Sequence, residues 1–259
     1  SLCILVIINS KIPTFFIKMK IISMQKSISL LAMMFLLISL FSCNPQLSTG
    51  LRKKDLKKDV AIETTKGIIV VRLSDSTPLH RDNFLRLVKQ NYYDSILFHR
   101  VMQDFMIQAG DPESKRASAG KPLGNGGPEY TVPAEIKTTL FHKKGVLAAA
   151  RMMDEVNPKR ASNGSQFYIV KGRIHTDRSL DSVETFRLNG RKLPPAHREV
   201  YKKIGGSPHL DQGYTVFGEV ISGLNIVDSI AGVPVSKGVD KDRPLVDVKI
   251  IRMKLVKRK

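Results

Sequence analysis

The sequence predicts a mainly β fold, an antiparallel sheet closed or sandwiched on itself with helices covering its ends. Three observations carry this. Seven or eight short runs rich in β-branched and aromatic residues are spread from residue 59 to residue 256. Only two segments between them have clear helical spacing, and they lie far apart in the chain. Strands and helices do not alternate, as a parallel βαβ sheet would require. No internal repeat is visible.

The first 42 residues stand outside that pattern. They contain no Asp or Glu. Met24-Gln25-Lys26 precedes the apolar run ISLLAMMFLLISLFS (28–42), which ends at Cys43. A basic start, an apolar run of this length and a small residue before the break make a secretory signal. The run is shorter than the roughly 20 residues of a membrane span, which leaves a transmembrane anchor as the lesser alternative. Residues 1–18 precede both Met19 and Met24 and are expected to lie upstream of the true start. Leu40-Phe41-Ser42-Cys43 resembles a bacterial lipobox, with Phe41 departing from the small or β-branched residue usual there. Cys43 is therefore expected to carry a lipid; a free thiol is the alternative. Cys3 and Cys43 are the only cysteines, so a chain beginning at Cys43 has no internal disulfide. Removing residues 1–42 takes away four lysines and lowers the formal charge from +19 to +15. For an exported chain, such a charge points to a membrane surface rather than to nucleic acid; a soluble basic surface with no specific partner is the equal alternative.

Residues 43–58 are polar and basic and read as a tether to a folded domain over 59–259. That domain opens with DVAIETTKGIIVVRLS (59–74), a hairpin with Gly67 at its turn. Val60, Ile62 and Thr64 alternate with Ala61 and Glu63, as in a half-buried strand. A helix follows, with Pro78 in its first turn and Phe84, Leu85, Leu87 and Val88 at helical spacing. Strands are expected over 96–102, 105–110, 145–151, 165–172, 214–221 and 246–256, and a second short helix over 223–231. The charged segment 172–208 interrupts the strands. Its two stretches SLDSVETFRLNG and PAHREVYKKIGG have helix-and-cap patterns, which predicts a helical insertion on the domain surface.

Most catalytic templates are missing. The sequence has no GxSxG, HExxH, CxxC or GxxxxGK[ST], and its six histidines show no metal-binding spacing. Metal-dependent hydrolysis, acyl transfer and nucleotide chemistry lack support, and no cofactor or metal is expected. What stands out instead is FHRVMQDFMIQAGD (98–111), where Arg100 and Gln108 sit in a run that otherwise reads as core strand.

That block resembles the cyclophilin family of peptidyl-prolyl isomerases. So do GNGGPEY (124–130), GVLAAAR (145–151), NGSQFYIV (163–170) and HLDQGYTVFG (209–218), in the family's order. The resemblance runs from about Asp59 to the C-terminus, with 172–208 unmatched. It implies a closed eight-stranded antiparallel barrel capped by two helices, with the site on its outer face. Arg100 matches the family's essential arginine. Phe105, Met106, Tyr168 and Leu210 match the floor and walls of its proline pocket. Gln108 matches the glutamine that holds arginine and substrate backbone; Gln166 and Ala150 match further peptide-binding positions. Arg151 falls where many members carry Asn. Tyr168 replaces a Phe, Ala109 a Gly, His209 a Trp and Tyr214 a His of the better-known pattern, so a cyclosporin-like ligand that depends on the Trp is expected to bind poorly. His99 is expected to be structural. The resemblance implies catalysis of X–Pro rotation in proline-containing peptides and unfolded proteins. With the signal segment and the lipobox-like sequence, the chain is expected to act on exported proteins as a monomer held by its lipid in the bacterial cell envelope, facing the periplasm from the outer rather than the inner membrane. A proline-peptide receptor or chaperone using the same groove is the alternative.

Overall fold

The computed structural model describes residues 50–258 of the chain; the expected signal segment, Cys43 and the first part of the tether lie outside the described residues. The hairpin forms as the alternation requires. β1 (Lys58–Thr64) and β2 (Gly67–Leu73) pair antiparallel around Thr65-Lys66, with Thr64 opposite Gly67. Gly67 has φ +134°, a conformation that disfavours any side chain. Helix α1 (Pro78–Lys89) buries Phe84, Leu85, Leu87 and Val88, the predicted stripe. Its N-terminus is capped from a distance, because the Glu135 carboxylate accepts the backbone N–H groups of Leu79 and His80 at 3.1 and 2.9 Å.

The other strands are β3 (Arg100–Met102), β4 (Met106–Ala109), β5 (Thr131–Val132), β6 (Val146–Ala149), β7 (Ser162–Asn163), β8 (Phe167–Val170), β9 (Val216–Ser222) and β10 (Ile250–Lys257). Eight of them make one sheet in the order β10-β1-β2-β9-β6-β8-β4-β3, antiparallel at every step; β5 and β7 pair separately. The sheet curls around a core of Val60, Ile62, Val71, Ile107, Leu147 and Ile169. Helices α1 and α4 (Leu224–Ala231) cover that core with Phe84, Leu85, Val227 and Ile230.

The closed barrel is not what forms. The sheet is an open, curled half-barrel whose edge strands β10 and β3 are not paired with each other. The residues just before those strands meet at one isolated bridge, Leu97 with Lys249. Phe98 N–H donates to Val248 O at 2.9 Å and Ile250 N–H to Ile96 O at 2.8 Å. The expected strand over 96–102 therefore divides: its first half serves this seam, and its second half is β3.

The segment between β8 and β9 carries two further helices, α2 (Asp177–Phe186) and α3 (Pro195–Ile204). Thr176 and Ser179 form a capping box at the start of α2. This insertion has its own small core of Leu180, Leu188, Leu193 and Tyr201, packed against Phe141 of the main body. Its ends meet: Gly206 N–H donates to Arg173 O at 3.0 Å, and a Cβ on Gly172 would lie 2.4 Å from Gly206 Cα.

Candidate active site

The strand period sorts the side chains of the opening motif. On β3 and β4, Val101, Ile107 and Ala109 point into the core, so Arg100, Met102, Met106 and Gln108 point outward. Gln103-Asp104 makes the turn, closed by Phe105 N–H to Met102 O at 3.0 Å. Cross-strand register then sets a row across the outer face. Arg100 lies opposite Gln108, Gln108 opposite Tyr168, and Tyr168 opposite Ala148. Below that row Met102 faces Met106, and Met106 faces Val170. The result is a second apolar cluster, built from Met106, Val146, Ala148, Tyr168, Val170, Leu210 and Val216, with Phe105, Ala150 and Tyr214 packed on it.

A cleft of about 340 Å³ opens over this cluster. Arg100, Phe105, Met106, Gln108, Ala150, Arg151, Tyr168, His209, Leu210 and Tyr214 line it, and so does Arg187 of the insertion. Gln166 stands behind the wall. Its amide donates to the carbonyls of Gly124 and Gly126 at 2.9 and 2.6 Å and fixes the glycine-rich loop, while its oxygen accepts from Gln108 at 3.0 Å. Among the described residues the Gln108 side chain donates to Gln166 and makes no hydrogen bond to Arg100.

Arg100 is held by other groups. Its Nε lies 3.6 Å from Asp242 Oδ2, and one of its terminal nitrogens donates to the Met102 sulfur at 3.3 Å. The side chain is 43% exposed, and its guanidinium keeps donors for a ligand. Arg151 is more constrained. It stacks over the Tyr214 ring at 4.5 Å, donates to Gly213 O at 2.7 Å and pairs with Asp154 at 2.6 Å. His209 packs its ring 5.2 Å from that of Phe105. Burial, assisted by the Arg187 charge, lowers its pKa to about 4, so it is neutral near pH 7.

The hydroxyl of Tyr168 meets a buried polar chain. It lies 3.0 Å from Nε2 of His142, whose Nδ1 is 3.0 Å from Asp211 Oδ1. Asp211 also accepts the backbone N–H of His142 and the hydroxyl of Tyr201 on α3, each at 2.8 Å. Sequence reasoning missed Met102, His142, Arg187, Asp211 and Asp242. Asp211 lay inside a quoted block without being singled out, and Arg187 lay in the unmatched insertion.

With this geometry in view, the comparisons are specific. Residues 59–255 match the family model described as cyclophilin type peptidyl-prolyl cis-trans isomerase. The chain belongs to the cyclophilin-type peptidyl-prolyl cis-trans isomerases. A protein of Staphylococcus epidermidis assigned to this enzyme class is 33% identical to this cyclophilin over 210 residues, covering 80% of this chain and 94% of the relative. One from Staphylococcus aureus (strain COL) is 34% identical over 207 residues, with the same coverage of each chain. Among solved structures, a cyclophilin-type isomerase of Cryptosporidium parvum shares the fold with a TM-score of 0.55 at 23% identity, covering 78% of this chain and 99% of its own. A second crystal structure of that protein, obtained in the presence of the dipeptide Ala-Pro, gives a TM-score of 0.54 at the same identity, over 77% of this chain and 99% of its own. Within this cyclophilin, Arg151, Tyr168, His209 and Tyr214, which depart from the better-known pattern, line the cleft, whereas Ala109 points into the core.

Proposed function

We propose that this isomerase turns X–Pro bonds of exported proteins in the cleft over β3, β4 and β8, with Arg100 as the catalytic residue and no covalent step. The supporting observation is one arrangement: the half-exposed side chain of Arg100 shares the cleft with the apolar seat made by Phe105, Met106 and Leu210.

The chemistry follows from amide resonance. The C–N bond of an X–Pro amide resists rotation with a barrier of about 18–20 kcal/mol, so uncatalysed exchange takes tens to hundreds of seconds. At the twisted state the conjugation is lost, and a lone pair localises on the proline nitrogen. A guanidinium N–H aimed at that nitrogen stabilises the twisted state more than either planar form, which is the requirement for catalysis. Arginine stays charged at any working pH, and its donors are fixed in a plane. An acceleration of about 10⁵ requires about 7 kcal/mol. One charged hydrogen bond contributes about 1.5–3 kcal/mol. The remainder falls to the apolar seat, which holds the proline ring while the preceding carbonyl swings, and to exclusion of water. In this reading Gln108, tied to Gln166, presents its free carbonyl oxygen to the substrate backbone. Ala150 and Arg151 flank the bound peptide, and Tyr168, His209 and Tyr214 wall the seat.

The test is exchange catalysis on a short Ala-Pro peptide. The wild type should accelerate exchange, and Arg100→Ala should lower kcat/KM about 10- to 100-fold with an unchanged circular dichroism spectrum. Absence of acceleration by the wild type would remove the catalytic reading and leave a proline-peptide receptor or chaperone. The same proposal has the protein act as a monomer in the bacterial cell envelope, anchored through lipid on Cys43 and facing the periplasm from the outer membrane. The lipobox-like sequence and the basic tether support the anchor. Palmitate labelling lost in Cys43→Ala is the expected result, and a wild type that takes up no label refutes it.

A further inference from the structure

Among the described residues three arginines line the cleft, Arg100, Arg151 and Arg187, and no carboxylate does. Two of them are balanced from outside the lining, Arg100 by Asp242 and Arg151 by Asp154. Arg187 is different. Among the described residues its exposed side chain has no ion pair or hydrogen bond, while its backbone N–H is fixed to Val183 O at 2.9 Å. The next residue, Leu188, is buried in the core of the insertion, so the backbone that carries this cation is anchored. His209 is neutral near pH 7 and adds no charge of its own. Arg187 thus lines the same cleft as the tilted ring pair Phe105 and His209, and among the described residues no ion pair balances its charge.

We infer that Arg187 is a specificity determinant of the cleft, and that the insertion makes this isomerase favour X–Pro segments with a carboxylate side chain within a residue or two of the proline. The inference rests on the proline-cleft reading and adds the chemical class of its preferred substrate. A segment with Asp or Glu supplies the anion that Arg187 lacks, and a segment with Lys brings a fourth cation into a lining without acids. A peptide is favoured over a lipid headgroup because the cation belongs to the cleft lining that also holds the apolar seat. Solvent screens this rim, so the preference is modest, about 3- to 20-fold between Glu and Lys, and weakens as salt shortens the Debye length.

The experiment uses the full chain and three peptides that differ only in the residue preceding proline: Ala, Glu or Lys. At low salt the wild type should show kcat/KM about 3- to 20-fold higher for Glu-Pro than for Lys-Pro, shrinking towards equality in 0.5 M NaCl. Arg187→Ala should bring the ratio towards one, and Arg187→Glu should reverse it. Arg178→Ala removes an exposed cation of the same insertion that does not line the cleft, and should leave the ratio unchanged. A wild type that catalyses Ala-Pro exchange but treats Glu-Pro and Lys-Pro alike overturns this inference and keeps the catalytic reading. A ratio left unaltered by Arg187→Glu overturns it in the same way. If no peptide is turned over, equilibrium binding of the same three by NMR titration still decides: tighter binding of the Glu peptide, lost in Arg187→Glu, supports the inference, and equal binding overturns it.

Discussion

Replacing Tyr168 by Phe removes one oxygen atom from the wall of the cleft. That oxygen lies 3.0 Å from Nε2 of His142, a ring with no exposed surface. Asp211 is an acceptor at the opposite ring nitrogen, so in the neutral imidazole the proton sits on Nδ1 and Nε2 holds the lone pair. Burial pushes the Tyr168 phenol well above its ordinary pKa, so it remains an O–H donor to that lone pair. A neutral hydrogen bond of this kind contributes about 1 kcal/mol net, and a buried acceptor left without a partner costs about 1–3 kcal/mol. Tyr168→Phe is therefore expected to destabilise the fold by about 1–2 kcal/mol, a fall in Tm of about 2–8 °C for a domain of this size. Urea denaturation followed by circular dichroism measures it. Because Tyr201 reaches the same Asp211, a double-mutant cycle of Tyr168→Phe with Tyr201→Phe should show a coupling of at least about 0.5 kcal/mol. A Tyr168→Phe variant as stable as the wild type, with no coupling to Tyr201, would refute the buried chain as a linked unit.

Other consequences are as direct. Burial lowers the pKa of His99 to about 4, below the ordinary 6.5, so between those values the folded state binds fewer protons than the unfolded chain. The stability that this contributes is complete above pH 6.5 and is lost as pH falls to about 4. His99 alone should account for about 2 kcal/mol of the loss between pH 7.5 and 5, read in urea denaturation as a smaller loss in His99→Leu than in the wild type, whereas equal losses in the two would contradict it. Gln166→Leu removes the side-chain donor of the Gly124 carbonyl and leaves the Gly126 carbonyl with Asn163 alone, and should cost about 2 kcal/mol and raise the B-factors of that loop in a crystal structure. Gly206→Ala places a Cβ 2.3 Å from His142 O and 2.6 Å from the Tyr201 ring at φ +151°, and should destabilise by about 2 kcal/mol or more in thermal scans.

Local patterns carried most of the fold. The hairpin of β1 and β2 follows from alternation and Gly67, α1 from Pro78 and its apolar stripe, and the helices of the insertion from their proline and glycine ends. The open sheet was not legible in that way. Whether the edges pair depends on where residues 95–98 and 248–250 meet, a contact between distant segments that no window of sequence records. The strands β5 and β7 are two residues each, too short to carry a period. In the cleft, the residues that follow strand register were readable from the family blocks. The groups that hold them were not. His142 and Asp211 are 69 positions apart, and an aspartate in a charged loop, such as Asp242, gives no sign that it faces an arginine. Gln108 makes the same point: the motif it belongs to gives no sign that its amide meets Gln166, 58 positions away.

The touching ends of the insertion have a further consequence. Residues 173–205 leave and rejoin the body at almost one point, between strands that the sheet orders without them. Such an excursion behaves as a cassette. Lineages could lengthen, shorten or recharge it while the half-barrel keeps its register, so the cleft's selectivity and its chemistry would be free to evolve on separate segments of one chain.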